Sequence, residues 1–221
     1  MTVAYYVGGT GTGKTTLMLQ HAVAKADERA VPIILIDSEG VIGVDKFNGE
    51  TALVVDALID AVWGRGLHAR FTPSTQDQVE AVARAAKAAG GIVLAIDEIS
   101  YWASGAQLGK DLARLYRVHR HSEVDIYATS QYPADISPLV WNVKSEVYIF
   151  RNESARAVER LAQECGLSPE DRARVSSLPD MKCIEWKSAG SRAPTPAARP
   201  SPPAAAPAED GAPSPEDPGA L

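Results

Sequence analysis

Short apolar runs alternate with longer amphipathic stretches through the first 187 residues of the chain. The runs are "TVAYYV", "PIILID", "IVLAIDE", "DIYATSQ" and "EVYIF". Near-continuous apolar runs of this length, rich in β-branched and aromatic residues, are typical of strands that are buried on both faces of a sheet. Between them, apolar residues recur at intervals of three and four, which predicts helices. The alternation predicts an α/β fold, a mainly parallel sheet with helices on both faces.

Local signals limit several of these helices. Gly90 and Gly91 follow the apolar stripe of the stretch "QVEAVARAAKAA" and end it. Asn152 or Ser154 is the predicted cap of the helix "ARAVERLAQEC". The pattern of residues 38–68 mixes glycines with short apolar stretches and specifies no element, although it suits an insert that determines specificity.

Composition separates the chain into two parts. It has 221 residues, of which 45% are hydrophobic and 23% charged, as in one ordinary globular domain. From Ser188 onward the sequence is mostly Pro, Ala, Ser and Gly without an aromatic residue, so it cannot bury enough apolar surface to offset its ordering entropy. We therefore predict a domain over residues 1–187 and a disordered tail over residues 188–221.

Charge and apolar content limit the function classes. The net charge of −6 is not that of a protein that coats nucleic acid, so any DNA contact must come from a local basic cluster or from a ring of subunits. No signal peptide or membrane-spanning stretch is evident, and Cys165 and Cys183 suit a reducing compartment. We expect a cytoplasmic protein.

A phosphate-binding loop follows the first predicted strand. The stretch "GGTGTGKT" matches G-x-x-x-x-G-K-[ST], and it lies between a strand and a helix, as the motif requires. Glycines let successive backbone N–H groups point at one anion, and the helix N-terminus adds partial positive charge. Lys14 is predicted to reach the β- and γ-phosphates of ATP, and the Thr15 hydroxyl to bind Mg²⁺. The predicted nucleotide-binding residues are Gly8, Gly9, Thr10, Gly11, Thr12, Gly13, Lys14, Thr15 and Thr16.

Two further strand ends carry candidate catalytic residues. The run "IVLAIDE" ends in Asp97 and Glu98, like a Walker B motif, so Asp97 is the predicted second group for Mg²⁺ and Glu98 the base that polarises a water. The run "DIYATSQ" ends in Gln131, which we expect to contact the attacking water or the γ-phosphate. This strand should lie beside the strands of both other motifs.

Taken together, "GGTGTGKT", "IVLAIDE", "IYATSQYPADI" and "EVYIFRN" resemble the FtsK/HerA superfamily of DNA-pumping ATPases over residues 1–151. The compact domain is similar to the viral (phage) genome-packaging branch, and "HRH" followed by "DIYATSQ" also resembles the zonular-occludens-toxin-like phage ATPases. The lack of a membrane-spanning segment favours the packaging branch. The resemblance implies a RecA-like (ASCE) P-loop NTPase with ATP and Mg²⁺ as cofactors.

The same resemblance implies partners and a location. The expected activity is ATP-driven translocation of DNA, with a duplex favoured, through a ring of identical subunits, usually six. Capsid or portal-vertex proteins are the further partners that a packaging ATPase implies, and the packaging vertex of the virion is then a second location.

Ring ATPases use an arginine from the neighbouring subunit, and the chain offers three candidates. Arg117 and Arg120 belong to the helix "GKDLARLYRVHRHSE", whose Leu112, Leu115, Tyr116 and His119 should face the core. Three roles are open for Arg117 and Arg120 at this point: such a finger, a DNA-facing patch or a solvated surface. Arg151, after "EVYIF", is the third candidate.

Other phosphate-loop functions remain as alternatives. A small-molecule phosphotransferase needs an arginine-rich lid, which is not evident, although residues 38–68 have room for an acceptor pocket. A GTPase needs a guanine-reading motif, and "GVDKF" is not one. A core like that of RecA or KaiC differs in mechanism more than in fold.

Overall fold

A computed structural model describes residues 1–43, 47, 49–52, 55–105 and 108–188. The predicted tail lies outside these residues, except for Ser188. The described residues form eight strands: β1 Val3–Val7, β2 Ile33–Asp37, β3 Glu50–Ala52, β4 Ala69–Phe71, β5 Ile92–Asp97, β6 Val124–Ser130, β7 Glu146–Ile149 and β8 Ile184–Lys187. They also form seven α-helices: α1 Lys14–Arg29, α2 Val55–Ile59, α3 Gln76–Ala89, α4 Lys110–Val118, α5 Pro138–Trp141, α6 Ala155–Cys165 and α7 Pro169–Arg174.

One sheet contains all eight strands in the order β3-β4-β2-β5-β6-β1-β7-β8. Every neighbouring pair is parallel except β7 and β8. The strand that ends before Gln131, β6, lies between β5 and β1, as the sequence analysis predicts. Because parallel strands end at the same edge, the three motifs meet at one edge of the sheet.

The sheet has an apolar cluster on each face, which confirms the predicted α/β architecture. On one face α1 contributes Met18, Leu19 and Ala22 to the core. On the other, α3 and α4 pack beside each other, with Val79 and Leu115 fully buried. The central strands are buried on both faces because α-helices cover them, which explains their lack of apolar–polar alternation.

Residues 38–68, for which the sequence specified no element, contain β3, α2 and one turn of π-helix over Asp60–Gly64. The short strand β3 pairs with β4 at the edge of the sheet. Its three residues carry too little pattern for a periodicity argument.

Helix boundaries follow the local chemistry of the chain. Ser154, one of the two predicted caps, accepts a hydrogen bond from the Ala157 N–H at 3.3 Å, whereas Asn152 accepts one from the Ser154 N–H at 3.0 Å. Gly90 follows α3 with a φ of 66°, a left-handed value that favours glycine. Among the described residues, no helix has the length and apolar character needed to cross a membrane.

Candidate functional site

The phosphate-binding loop connects β1 to α1 and is held between the ends of two neighbouring strands. The Gly8 N–H donates to the Ser130 carbonyl at 3.1 Å, and the Gly9 N–H donates to the Arg151 carbonyl at 2.7 Å. A Cβ on Gly8 would lie 2.7 Å from the Cβ of Phe150, so this position has no room for a larger residue. The loop is therefore fixed at the carboxyl edge of the sheet, next to the strand that carries Gln131.

Lys14 begins α1 and turns back over the loop. Its side-chain ammonium donates to the Gly9 carbonyl at 2.7 Å. Burial lowers the pKa of Lys14, while the nearby carboxylates of Glu98 and Asp97 act in the opposite direction. The ammonium thus lies inside the loop and close to both acidic residues, where a phosphate group is the natural counter-ion.

Thr15 and Asp97 are brought together as predicted. The Thr15 hydroxyl donates to the Asp97 carboxylate at 2.9 Å, although the two residues are 82 positions apart. Asp97 is 8% exposed, and burial raises its pKa, against the effect of hydrogen bonds from Thr129 and Thr15. A hydroxyl beside a carboxylate is an oxygen donor set that fits Mg²⁺, which binds such groups together with water and nucleotide phosphates.

Thr129 joins the two acidic residues to the neighbouring strand. Its hydroxyl donates to the same Asp97 oxygen at 2.8 Å and accepts a hydrogen bond from the Glu98 N–H at 2.8 Å. Thr129 is 1% exposed. The sequence pattern assigns no role to Thr129, although its position two residues before Gln131, on a strand expected beside the Walker B strand, is a signal that points to it.

Glu98 has a left-handed backbone with a φ of 53°, uncommon for a residue other than glycine. Its two carboxylate oxygens share the Gln131 N–H in a bifurcated hydrogen bond, at 3.0 and 2.9 Å, and one of them accepts from the Ser130 hydroxyl at 3.1 Å. The Ser100 hydroxyl also donates to it. Burial raises the pKa of Glu98, and these donors act against that shift.

The side chain of Gln131 contacts the phosphate-binding loop directly. The Thr10 hydroxyl donates to its amide oxygen at 2.8 Å. Gln131 therefore links Glu98 to the phosphate-binding loop, since its N–H donates to Glu98 while its side chain accepts from Thr10.

A turn that is remote in sequence also touches the loop. The Met181 N–H donates to the Thr12 carbonyl at 3.1 Å. A Cβ on Gly13 would be only 2.2 Å from the Met181 sulfur, so Met181 packs closely against this glycine. Asp180 forms an ion pair with Arg151 at 2.8 Å. No motif marks Asp180 or Met181, because they reach the loop only through the tertiary fold.

The three candidate arginines are divided between two opposite edges of the sheet. Arg151 follows β7 at the same edge as the phosphate-binding loop and pairs with Asp180 within the chain. Arg117 lies in the last turn of α4 and Arg120 just after it, near the start of β6, at the opposite edge. Since β6 has seven residues, roughly 20 Å separates the two edges, so Arg117 and Arg120 lie far from the phosphate-binding loop of their own chain.

Comparison with solved structures shows the fold. The genome packaging NTPase B204 from Sulfolobus turreted icosahedral virus 2, in complex with ATP-gammaS, has a TM-score of 0.70 and 17% identity, covering 84% of this chain and 92% of the viral chain. The DNA-packaging ATPase B204 from Sulfolobus turreted icosahedral virus has a TM-score of 0.65 with 17% identity over 84% of this chain and 92% of its own. VirB4 of Thermoanaerobacter pseudethanolicus has a TM-score of 0.53 with 9% identity, covering 83% and 88%.

No family model and no curated protein matches the sequence. At these identities the structural likeness establishes the fold. The chain has the RecA-like P-loop NTPase fold that viral genome-packaging NTPases also have, as the resemblance in its motifs predicts.

Proposed function

We propose that the chain is an ATPase that translocates DNA, of the viral genome-packaging type. The observation that carries the proposal is the meeting of Glu98 and Gln131 at the phosphate-binding loop. A carboxylate here serves as a general base, and a glutamine beside it orients an attacking water, as in other phosphate-loop hydrolases. The fold shared with a genome packaging NTPase that binds ATP-gammaS supports this reading.

In this proposal the loop residues Gly8–Thr16 surround the phosphates of ATP. The backbone N–H groups that bind them come from Thr10 onward, because those of Gly8 and Gly9 already donate to the Ser130 and Arg151 carbonyls. Lys14 exchanges its hydrogen bond to the Gly9 carbonyl for one to the β- and γ-phosphates. Thr15 and Asp97 hold Mg²⁺, the ion that neutralises charge on the phosphate oxygens during the reaction. The buried position of Asp97 keeps this carboxylate next to the Thr15 hydroxyl.

Glu98 is the proposed general base. Its carboxylate is held at the end of β6 by Ser130 and Gln131, and Lys14 is close enough to influence its pKa. Gln131 is the proposed contact to the γ-phosphate, because its side chain already lies against Thr10 of the loop. Loss of the γ-phosphate on hydrolysis would therefore change the contacts of Gln131, and through them the end of β6.

The proposed assembly is a ring of identical subunits, six by analogy with the resembling superfamily. Each nucleotide then lies at a subunit boundary, and Arg117, Arg120 or Arg151 supplies the positive charge from the neighbour. Capsid or portal-vertex proteins are the proposed docking partners, in the host cytoplasm or at the packaging vertex.

The decisive experiment measures ATP hydrolysis by the full chain with and without double-stranded DNA, at about 50 and 200 mM salt, since contacts to DNA phosphates weaken steeply with salt. We expect DNA to raise turnover at the lower salt and less so at the higher. Lys14→Ala is the control, and we expect it to abolish turnover.

Two outcomes would count against the proposal. A rate of ATP hydrolysis that is the same with and without DNA at both salt concentrations would contradict the proposed DNA translocation. Transfer of radioactive γ-phosphate from ATP to a small acceptor, with little free phosphate, would support a phosphotransferase in its place.

A further inference from the structure

Positive charge is distributed unevenly over this acidic protein. In the described part of the chain, most Lys and Arg side chains pair with a carboxylate, among them Arg29, Arg84 and Lys144. Of the cations that have no such partner there, four lie in or directly after α4. These are Lys110, Arg114, Arg117 and Arg120.

Three of these cations form one face of the helix, which we call the α4 face: Lys110, Arg114 and Arg117. Their spacings of four and three residues place them above one another. All three are exposed, and the opposite side of the helix is buried through Leu112 and Leu115. The direction of the face is therefore set by the core, and the cations point to solvent.

The two described carboxylates next to the start of α4, Asp111 and Glu80, are engaged elsewhere. Between Lys110 and Arg120 there are four cations and one carboxylate, Asp111, which gives a local charge of 4 − 1 = +3 in a chain of net charge −6. Asp111 bonds Arg84 of α3 at 2.5 Å. Glu80 of α3, 8% exposed, accepts hydrogen bonds from the N–H groups at the start of α4.

The neighbouring helix extends the positive surface. Since Glu80 and Arg84 both contact the first turn of α4, Lys87, one turn after Arg84, lies at the level of the next turn. Lys87 is half-buried and, like the α4 face, has no carboxylate partner among the residues described. The surface is thus held by two helices that are fixed against each other.

We propose that the α4 face binds the phosphate backbone of DNA. This inference rests on the proposed function and names the surface through which the substrate is held. From Lys110 to Arg117 the helix rises about 10 Å, a length over which one strand of a duplex presents roughly three or four phosphates. Arginine and lysine at this spacing match a row of phosphates without reading base sequence.

The structure makes DNA a better occupant than an anionic protein patch. Phosphate contacts need exposed, unpaired cations in a row and no apolar anchor, whereas protein interfaces centre on buried aromatic or aliphatic groups. The α4 face has the first feature, and its three members are all charged.

The test measures binding of full-length protein to a fluorescent DNA duplex across a salt series, with ATP-gammaS present. The test variant is Lys110→Ala/Arg114→Ala. The matched control is Arg65→Ala/Arg172→Ala, which removes the same charge from cations that are paired elsewhere on the surface. Thermal melting of each variant checks that the fold is retained.

For the test variant we expect the slope of log affinity against log salt to become shallower by about two units, because each lost phosphate contact contributes about 0.9. We expect the control to keep the wild-type slope. Arg114→Glu should weaken binding further than Arg114→Ala, since it adds repulsion to the loss of a contact.

Each other result has a separate meaning. Equal slopes for the test variant, the control and the wild type would contradict DNA binding by the α4 face, while the proposed DNA translocation would still stand. Normal binding of DNA with loss of ATP-dependent assembly would place the face at a subunit boundary instead. A wild-type protein that binds no duplex at any salt concentration would remove both this inference and the proposed function.

Discussion

At the scale of single residues, one shared hydroxyl organises the two acidic positions. Thr129 donates to Asp97 and accepts from the Glu98 N–H, so a residue of β6 fixes both ends of the Walker B pair of β5. Thr15 donates to the same Asp97 oxygen from the other side. A buried carboxylate with two hydroxyl donors is held in one orientation, which is what a metal-binding group requires.

Replacing this hydroxyl tests its positioning role. Thr129→Val keeps the shape of the side chain but leaves the Glu98 N–H without its acceptor, so we expect a loss of about 1–3 kcal/mol in the free energy of unfolding. We also expect a higher Mg²⁺ concentration for half-maximal ATP hydrolysis. Thr129→Ser should restore most of both, and a variant with unchanged Mg²⁺ dependence would leave Thr129 a purely structural residue.

Burial of Glu98 predicts a dependence of stability on pH. Burial raises the pKa of Glu98 above its ordinary value of about 4.3, so the fold favours the protonated form. The stabilising contribution is present below the ordinary value and is lost as pH rises through the raised one.

Glu98→Gln lacks this titration. The wild type should therefore lose stability relative to Glu98→Gln as pH rises through that window, measured by chemical unfolding of both proteins without nucleotide. Asp97 titrates in both proteins and cancels in the difference. Parallel stability profiles would show that the folded protein does not disfavour the Glu98 carboxylate.

At the scale of elements, α4 depends on a neighbouring helix for its beginning. No side chain of α4 itself caps the helix, and Gly109 precedes it. Glu80 of α3 instead accepts the Asp111 and Leu112 N–H groups at 2.6 and 3.3 Å. A carboxylate at a helix N-terminus satisfies free donors and complements the helix dipole.

Removal of this external cap should loosen α4. For Glu80→Ala we expect a loss of about 1–2 kcal/mol in unfolding free energy, at the upper end of the values for helix caps because the group is buried. Glu80→Gln, which keeps an acceptor oxygen, should lose less. Hydrogen exchange of the Asp111 and Leu112 amides measures the local effect, and unchanged protection in Glu80→Ala would contradict it.

At the scale of the whole molecule, the edge of the sheet decides what each arginine can reach. Arg151 lies beside the chain's own phosphate-binding loop, whereas Arg117 and Arg120 lie at the opposite edge. A residue at the far edge contributes to hydrolysis only if subunits place that edge against a neighbour's nucleotide. The ring proposal therefore predicts how ATP hydrolysis changes when two inactive variants are mixed.

Subunits that lack Lys14 should complement subunits that lack the trans finger. In an equal mixture of Lys14→Ala with a finger variant, about a quarter of the boundaries combine an intact loop with an intact arginine, so activity should reappear. We expect this with Arg120→Ala or Arg151→Ala. Arg117→Ala, which belongs to the α4 face, should keep its DNA-independent hydrolysis without a partner and gain nothing on mixing. No recovery in any mixture would argue against a shared site.

Much of this architecture could be predicted from the sequence because the signals are local. An unalternating apolar run such as "IVLAID" shows burial on both faces, and the glycine loop before Lys14 needs only neighbouring residues to define it. The strand before Gln131 is also expected beside both motif strands, and the sheet order confirms this for β6. By contrast, β3 has three residues and β8 joins the edge antiparallel, so neither has a periodic pattern long enough to assign.

The sequence by itself determined the chemical groups: a phosphate loop, an acidic pair at one strand end and a glutamine at another. Only the tertiary structure decided how they meet, with Thr129 between Asp97 and Glu98, Met181 against Gly13, and cations left unpaired along α4. The physical reason is range. Strand and loop signals act between residues close in the chain, whereas hydrogen bonds across strands and the pairing of surface charges depend on packing.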